Sequence, residues 1–431
     1  MRRMTWLTTI AAAWLAACSF GNRSGNLTND RVGSVGTPVE RASPLEPFHD
    51  DCGTGALTSA GSSVIRRQPY VQLVTSSSAM VGWVSRNPDG QLVEFTAVDG
   101  TPVRSANAEI EEAPRRGREK QMWSEITGLS PDTTYCYRLM IDESPLSDRI
   151  GFRTAPTAES DRPIRILAFG DSGGGGGDQR ALLERMHEVP YELIIHTGDL
   201  AYDAGSVKQF ETTVFNVYAD IFRSIPIFPA AGNHEYRTLR GAPFRTVFAL
   251  PNGDGDEKWY SYDWGRIHFA VIDTEASYSE QARWLAQDLE KSTLPWKIVY
   301  MHRPPYSSGY HGSDMKLRRA LAPVFEKYGV QLVIAGHDHN YERMKPQNGV
   351  AYVVTGGGGV GTRPVGRSDF TAHSDQVIHF LQIEVGIDDL EIHAIDANGR
   401  EFDSTVITRQ PAPAAEPRPK VRTALGTATG S

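Results

Sequence analysis

The chain is short of cysteine, of net positive charge and of long apolar runs. Its three cysteines are Cys18, Cys52 and Cys136. None lies in a catalytic pattern, and none falls among the polar clusters described below. The formal net charge is −8, which argues against general nucleic-acid binding, since that needs a basic face. The apolar stretch Trp6–Ala17 is too short to span a bilayer as a stable helix. The glycine run Gly173–Gly177 lacks the Gly-Lys-Ser/Thr ending of a nucleotide loop. It reads instead as backbone free to pass close to a neighbour. Hydrophobic residues at 40% and charged residues at 22% of 431 positions are ordinary for a folded protein, and the length suggests two to three domains.

The ends carry targeting and tail signals. Arg2 and Arg3 precede the stretch Trp6–Ala17, the layout of an export leader. Leu15-Ala16-Ala17-Cys18 resembles the lipobox of bacterial lipoproteins. That resemblance implies cleavage after residue 17, lipidation of Cys18 and an exported cell-envelope lipoprotein, periplasmic or at the outer surface. Its only membrane contact would be the lipid, and Ser19 in place of Asp favours the outer membrane. Plain secretion is the alternative. Residues 18–63 are rich in Gly, Ser, Asn and Pro and read as a flexible tether. The Pro/Ala-rich basic segment 409–431 reads as a disordered tail. Cys52 and Cys136 are an even pair in an oxidising compartment, but spacing does not decide whether they bridge.

Residues 64–156 show short alternating segments: Tyr70–Val74, Ala79–Ser85, Leu92–Val98, Met122–Ile126, Thr134–Met140 and Arg149–Thr154. Turn formers such as Asn87-Pro88-Asp89-Gly90 separate them, which predicts a β-sandwich. The stretch Leu129–Arg138, ending near Phe152-Arg153-Thr154, resembles fibronectin type III modules. A packing and spacing role is the plain expectation for such a domain.

Residues 157–408 hold the chemistry. Five polar segments each follow an apolar strand-like run: Gly170-Asp171-Ser172-Gly173, Gly198-Asp199-Leu200-Ala201-Tyr202, Gly232-Asn233-His234-Glu235, Val299-Tyr300-Met301-His302 and Gly336-His337-Asp338-His339. The runs are Ile164–Phe169, Leu193–His196, Ile227–Ala230, Lys297–Met301 and Gln331–Ala335. Parallel strands gather such segments at their carboxyl ends. Singly, these residues are turn, cap or packing residues. Together Asp171, Asp199, Tyr202, Asn233, His302, His337 and His339 form an oxygen and nitrogen donor set without thiolate. Such a set suits Zn, Fe or Mn and is too large for one tetrahedral ion. Two ions sharing a carboxylate would accommodate it, as in in-line phosphoryl displacement. Leu317, Ala320, Leu321, Val324, Phe325 and Tyr328 repeat at helical spacing, and Ser277 with Glu280 suggests a capping box opening a helix to about Glu290. The runs His379–Val385 and Glu391–Ile395 read as a late hairpin in a second sheet.

On the five segments as quoted, the chain resembles the metallophosphoesterases and, within them, the purple acid phosphatases. The resemblance covers roughly Arg162–Thr405. It implies a four-layer α/β sandwich (αββα) and places Asp171, Tyr202 and His339 on one ion and Asn233, His302 and His337 on the other, with Asp199 bridging. Tyr202 implies Fe(III) beside a divalent Fe, Zn or Mn. The resemblance also implies catalytic, substrate-side roles for His234, expected beside the second ion, and for His311. Plant-type members have two consecutive histidines where this chain has His311-Gly312, which leaves the proton donor open. The implied reaction is hydrolysis of a small phosphomonoester by metal-activated water. A phosphodiesterase or nucleotidase on the same core and an inert surface-binding lipoprotein are the alternatives.

Overall fold

The computed structural model describes residues 40–111, 119–251 and 257–409. The leader, Cys18 and the tail beyond 409 lie outside these residues. Among the described residues, no helix is long and apolar enough to cross a membrane.

The tether expected through residue 63 stops earlier. Leu45 and Phe48 are buried, helices Glu46–Asp51 and Ser59–Val64 flank Cys52, and Cys52 is disulfide-bonded to Cys136. Two apolar anchors and a covalent bridge outweigh the polar composition of this segment. A bridge that closes a separation of 84 residues removes substantial freedom from the unfolded chain.

The segment that follows forms two antiparallel sheets. One contains Ile65–Gln72, Ser78–Ser85, Lys120–Thr127 and Glu109–Glu111; the other contains Pro102–Asn107, Gln91–Ala97, Thr134–Ile141 and Ser144–Pro145, with Ile150–Arg153 also on Thr134–Ile141. Trp83, Phe95, Tyr137 and Phe152 fill the space between them. Pro102–Asn107 was not legible in the sequence: it opens on proline, lies at a sheet edge and is largely exposed, so it carries no alternation. The sandwich is fixed to the following domain. Buried Arg67 pairs with Glu211, Tyr70 Oη donates to Val247 O at 2.6 Å, and Tyr137 Oη donates to Arg223 O at 2.8 Å.

The part of the chain beyond residue 156 has two further sheets, and the five segments divide between them. Ile227–Pro229, Leu193–His196 and Ile164–Phe169 run parallel in the first; Ile267–Ile272, Trp296–Met301, Leu332–Ala335 and Ala351–Thr355 run parallel in the second. The late hairpin forms as His379–Val385 and Asp389–Asp396, but it extends the first sheet, with His379–Val385 antiparallel to Ile164–Phe169 and Glu401–Thr408 beyond. Strand order is set by burial of the apolar faces and is not visible from spacing along the chain. Helices Tyr278–Lys291 and Met315–Lys327 cover the second sheet through Leu285, Leu289, Leu317, Leu321 and Phe325. Asp314 caps the latter by accepting from the Lys316 and Leu317 backbone N–H groups. The capping box expected at Ser277 is not made: the helix starts there, but the Ser277 hydroxyl faces Ser279.

Candidate metal centre

The carboxyl ends of both sheets meet, and all seven predicted donors come together there. Asp171 Oδ1 and Asp199 Oδ2 each lie 3.2 Å from Tyr202 Oη, while His339 Nε2 is 3.3 Å from the phenol and 3.5 Å from Asp171 Oδ1. On the other side, His302 Nε2 lies 3.1 Å from Asp199 Oδ2, 3.1 Å from Asn233 Oδ1 and 3.1 Å from His337 Nδ1. Ligand atoms of Asp199, His302 and His337 all fall within 4.8 Å of one another. Asp199 Oδ2 thus touches both groups.

The donor chemistry fits two cations. The Tyr202 hydroxyl has one hydrogen for two buried carboxylate oxygens. His302 Nδ1 faces Thr197 O at 3.0 Å and donates to it, so its Nε2 meets two lone-pair oxygens, Asp199 Oδ2 and Asn233 Oδ1, with at most one hydrogen. A cation in each group satisfies them all, whereas unpaired buried polar atoms are costly. Burial works to raise the Asp199 carboxyl, but His302 and then His234 hold it well below the usual carboxylate range. Burial lowers His302, yet Asp199 overrides this and holds it at about 9. The pair therefore favours a carboxylate and a positive charge beside it. His337 is pushed well down by burial, His302 and Arg303, which leaves it neutral, the form that ligates metal.

The backbone is shaped to this purpose. Asp171, Asp199 and His337 have φ of +59°, +53° and +71°, conformations that cost a non-glycine residue energy and are held by their surroundings. Glu235 is the clamp: its buried carboxylate accepts from the backbone N–H groups of Gly232, Asp199, Leu200 and Ala201 at 2.8–3.0 Å. It joins two of the donor-bearing loops. A side chain at Gly232 would put Cβ 2.2 Å from Asp199 Oδ1, and one at Gly173 would put it 1.4 Å from Leu200 O. Glycine at these positions is therefore a packing requirement.

Two flanking histidines complete the site, and one is not where the sequence reading put it. His234 packs on Tyr202 with ring centroids 4.2 Å apart, so it borders the tyrosine group and not the opposite one. The short helix Asn233–Tyr236 turns the two neighbouring side chains to different sides. His234 Nδ1 donates to Asp203 O at 2.6 Å, and its Nε2 lies 3.8 Å from Asp199 Oδ2. His311 stacks on His337 at 4.0 Å. Its Nδ1 faces Asp338 Oδ1 at 3.0 Å and its Nε2 accepts from Arg363 at 3.1 Å. Gly312 has φ +71°, a backbone state that disfavours a second histidine there.

Sequence reasoning assigned no role to Glu235, Asp338 or Arg363. Asp338 is buried and accepts from Ser307 Oγ and the His311 backbone N–H, anchoring the loop that carries His311. Glu235 and Asp338 lie inside the quoted segments, but their partners are distant in sequence. Arg303 donates to Glu275 at 2.7 Å and to His337 Nε2 at 3.1 Å. Asp273, also at a strand end, is taken up by Tyr236 and the Glu275 backbone N–H.

The profile of the calcineurin-like phosphoesterase family matches residues 164–341, and that of the purple acid phosphatase N-terminal domain matches residues 67–154. The chain thus carries a calcineurin-like phosphoesterase domain preceded by a purple acid phosphatase N-terminal domain. Among curated proteins it is similar to "Probable inactive purple acid phosphatase 1" of Arabidopsis thaliana, 26% identical over 80% of this chain and 65% of that protein. It is also similar to "Acid phosphatase type 7" of Homo sapiens, 30% identical over 51% of this chain and 55% of that protein. The chain thus spans just under two-thirds of the first of these relatives. A solved purple acid phosphatase from yellow lupin (Lupinus luteus) seeds shares the fold, with TM-score 0.72 and 21% identity over 79% of this chain and 74% of that one. Metallophosphoesterases of this type use a binuclear metal centre, and the gathered donors fit that use.

Proposed function

We propose that this purple acid phosphatase-like protein is an exported hydrolase of small phosphomonoesters. The observation that carries this reading is the convergence of seven metal-binding side chains on two points that share Asp199 Oδ2. Asp171, Tyr202 and His339 would hold one ion, and Asn233, His302 and His337 the other. Two bound ions supply Lewis acidity for the phosphoryl oxygens and activation of the attacking water. His234, fixed through Nδ1 by Asp203 O, presents Nε2 to the site and holds a proton for the leaving oxygen. Both His311 nitrogens are engaged, by Asp338 and Arg363, so His311 is the weaker proton donor and serves to position substrate. The name of the Arabidopsis relative favours a second reading, a site that binds metal without turnover. Measuring hydrolysis of an aryl monoester and a bis-aryl diester decides between these readings: monoester preference supports ours, diester preference a phosphodiesterase, and no turnover with two metals bound an inert protein.

The ion beside Tyr202 is assigned as Fe(III), with Fe, Zn or Mn(II) as its partner, because a phenolate suits a trivalent ion. Burial and the Asp171 and Asp199 carboxylates drive the Tyr202 phenol far upward, so ionisation there requires a strong cation. Purified with iron, the protein should be coloured, and Tyr202→Phe should lose that visible band. A tyrosine-independent spectrum would make Tyr202 a packing residue.

Two finer structural readings accompany this one. Helices over the second sheet, with the first sheet on its other side, support a four-layer arrangement. Two antiparallel sheets, with Ile65–Gln72, Ser78–Ser85 and Lys120–Thr127 sharing one, support the fibronectin type III likeness. Export as a lipoprotein rests on Arg2, Arg3 and Leu15–Cys18, and the Cys52–Cys136 bridge suits an oxidising compartment. Cys18→Ser should move the protein from the membrane to the soluble fraction or leave it unprocessed; identical partitioning of the two proteins would favour plain secretion.

A further inference from the structure

Most charged groups on the rim of the site are paired with a partner of opposite character. Arg303 is paired with Glu275 at 2.7 Å, Arg237 with Asp203 at 2.8 Å, and His311 with Asp338 at 3.0 Å. Arg363 differs from these. Its side chain contacts the His311 ring, at 3.1 Å and 3.4 Å through Nη1, and the face of Tyr310, 5.5 Å from the ring centroid. Among the described residues it has no carboxylate partner. Its backbone N–H donates to His339 O at 2.8 Å, so the chain carrying it is tied to the metal-facing loop. The guanidinium is held between an imidazole nitrogen and an aromatic face, and its other N–H donors are left to a ligand. Tyr310, 76% exposed, borders it on the solvent side.

We propose that Arg363, positioned by Tyr310 and His311, forms a leaving-group subsite for substrates that carry a second phosphoryl group next to the scissile one. The inference rests on the two-metal phosphatase reading above. His311 stacks on His337, so Arg363 is one stacked ring and one hydrogen bond away from the second group of donors. A diphosphate with its terminal phosphoryl at the metals places its next phosphoryl toward this arginine. A planar guanidinium binds such a group through two parallel N–H···O bonds, which a simple alkyl or aryl leaving group cannot accept. Tyr310 contributes by holding the cation over its ring and limiting the orientations it must lose on binding.

The test uses two unreactive probes, methylphosphonate and methylenediphosphonate, titrated calorimetrically into the full-length, metal-loaded protein, with metal content measured in every sample. Wild type should prefer the diphosphonate, and Arg363→Gln should shrink the ratio of the two affinities by about 10-fold or more, the range for a lost charge-assisted bond. Arg363→Lys, which keeps the charge but not the fork, should restore part of the ratio. An unchanged ratio in Arg363→Gln overturns the subsite. Equal weakening of both probes also overturns it, by making Arg363 a holder of the scissile phosphoryl group. If neither probe binds metal-loaded wild type, the phosphatase reading itself fails and the subsite falls with it.

Discussion

Asp199→Ala should strip both metal ions and abolish turnover, while the two sheets stay folded. Asp199 Oδ2 lies 3.2 Å from Tyr202 Oη and 3.1 Å from His302 Nε2, so it is common to both donor groups. Its Oδ1 accepts from the His234 backbone N–H at 2.8 Å, so the same side chain also seats the loop that brings Asn233 inward. Removing it takes a ligand from each ion at once and leaves His302 without the carboxylate that holds it at about 9. Asp199→Asn keeps the shape and removes the charge, which separates ligand loss from loop collapse. Elemental analysis checks the outcome: two metal equivalents retained per chain in Asp199→Ala would show that this residue does not bridge.

His234→Ala should keep both metals and lose activity by about 10²–10⁴-fold, the usual cost of a missing general acid. The free Nε2 of His234 faces the site over Asp199, and its Nδ1 is held by Asp203 O, so the imidazole has the geometry of a proton donor. His311→Ala should lose less, because burial and Arg363 hold that ring below its ordinary value against the pull of Asp338, and Arg363 already occupies its outer nitrogen. Comparing aryl esters with good and poor leaving groups sharpens the test. A lost proton donor hurts poor leaving groups most, whereas a lost positioning contact affects all of them alike. Loss of metal from either variant would make that residue a ligand. Near-normal activity in both would remove acid catalysis by histidine from this site.

Much of the site was legible because each donor lies just past an apolar run and four of the seven, Asp171, Asp199, Asn233 and His337, directly follow a glycine, a local pattern that needs no partner to be seen. The helix at Met315–Lys327 was legible for the same reason, its buried stripe repeating at helical spacing. Residues whose meaning lies in a distant contact were not. Glu235 reads as an unremarkable neighbour of Asn233 until its carboxylate meets the Asp199–Ala201 backbone, and Arg363 lies in a segment with no pattern at all. The tether was over-extended because composition cannot register that Leu45 and Phe48 find a core or that Cys52 finds Cys136.

By itself, the sequence determined the chemistry available: oxygen and nitrogen donors in order, a tyrosine among them, no thiolate, and strands to carry each one. The tertiary structure decided how these donors are shared. It divided the five segments between two sheets, made Asp199 common to both groups, turned His234 toward Tyr202 and set Arg363 against His311. Donor identity is a property of single residues, whereas bridging, facing and pairing depend on which backbones pack together. That packing is settled by burial over the whole chain.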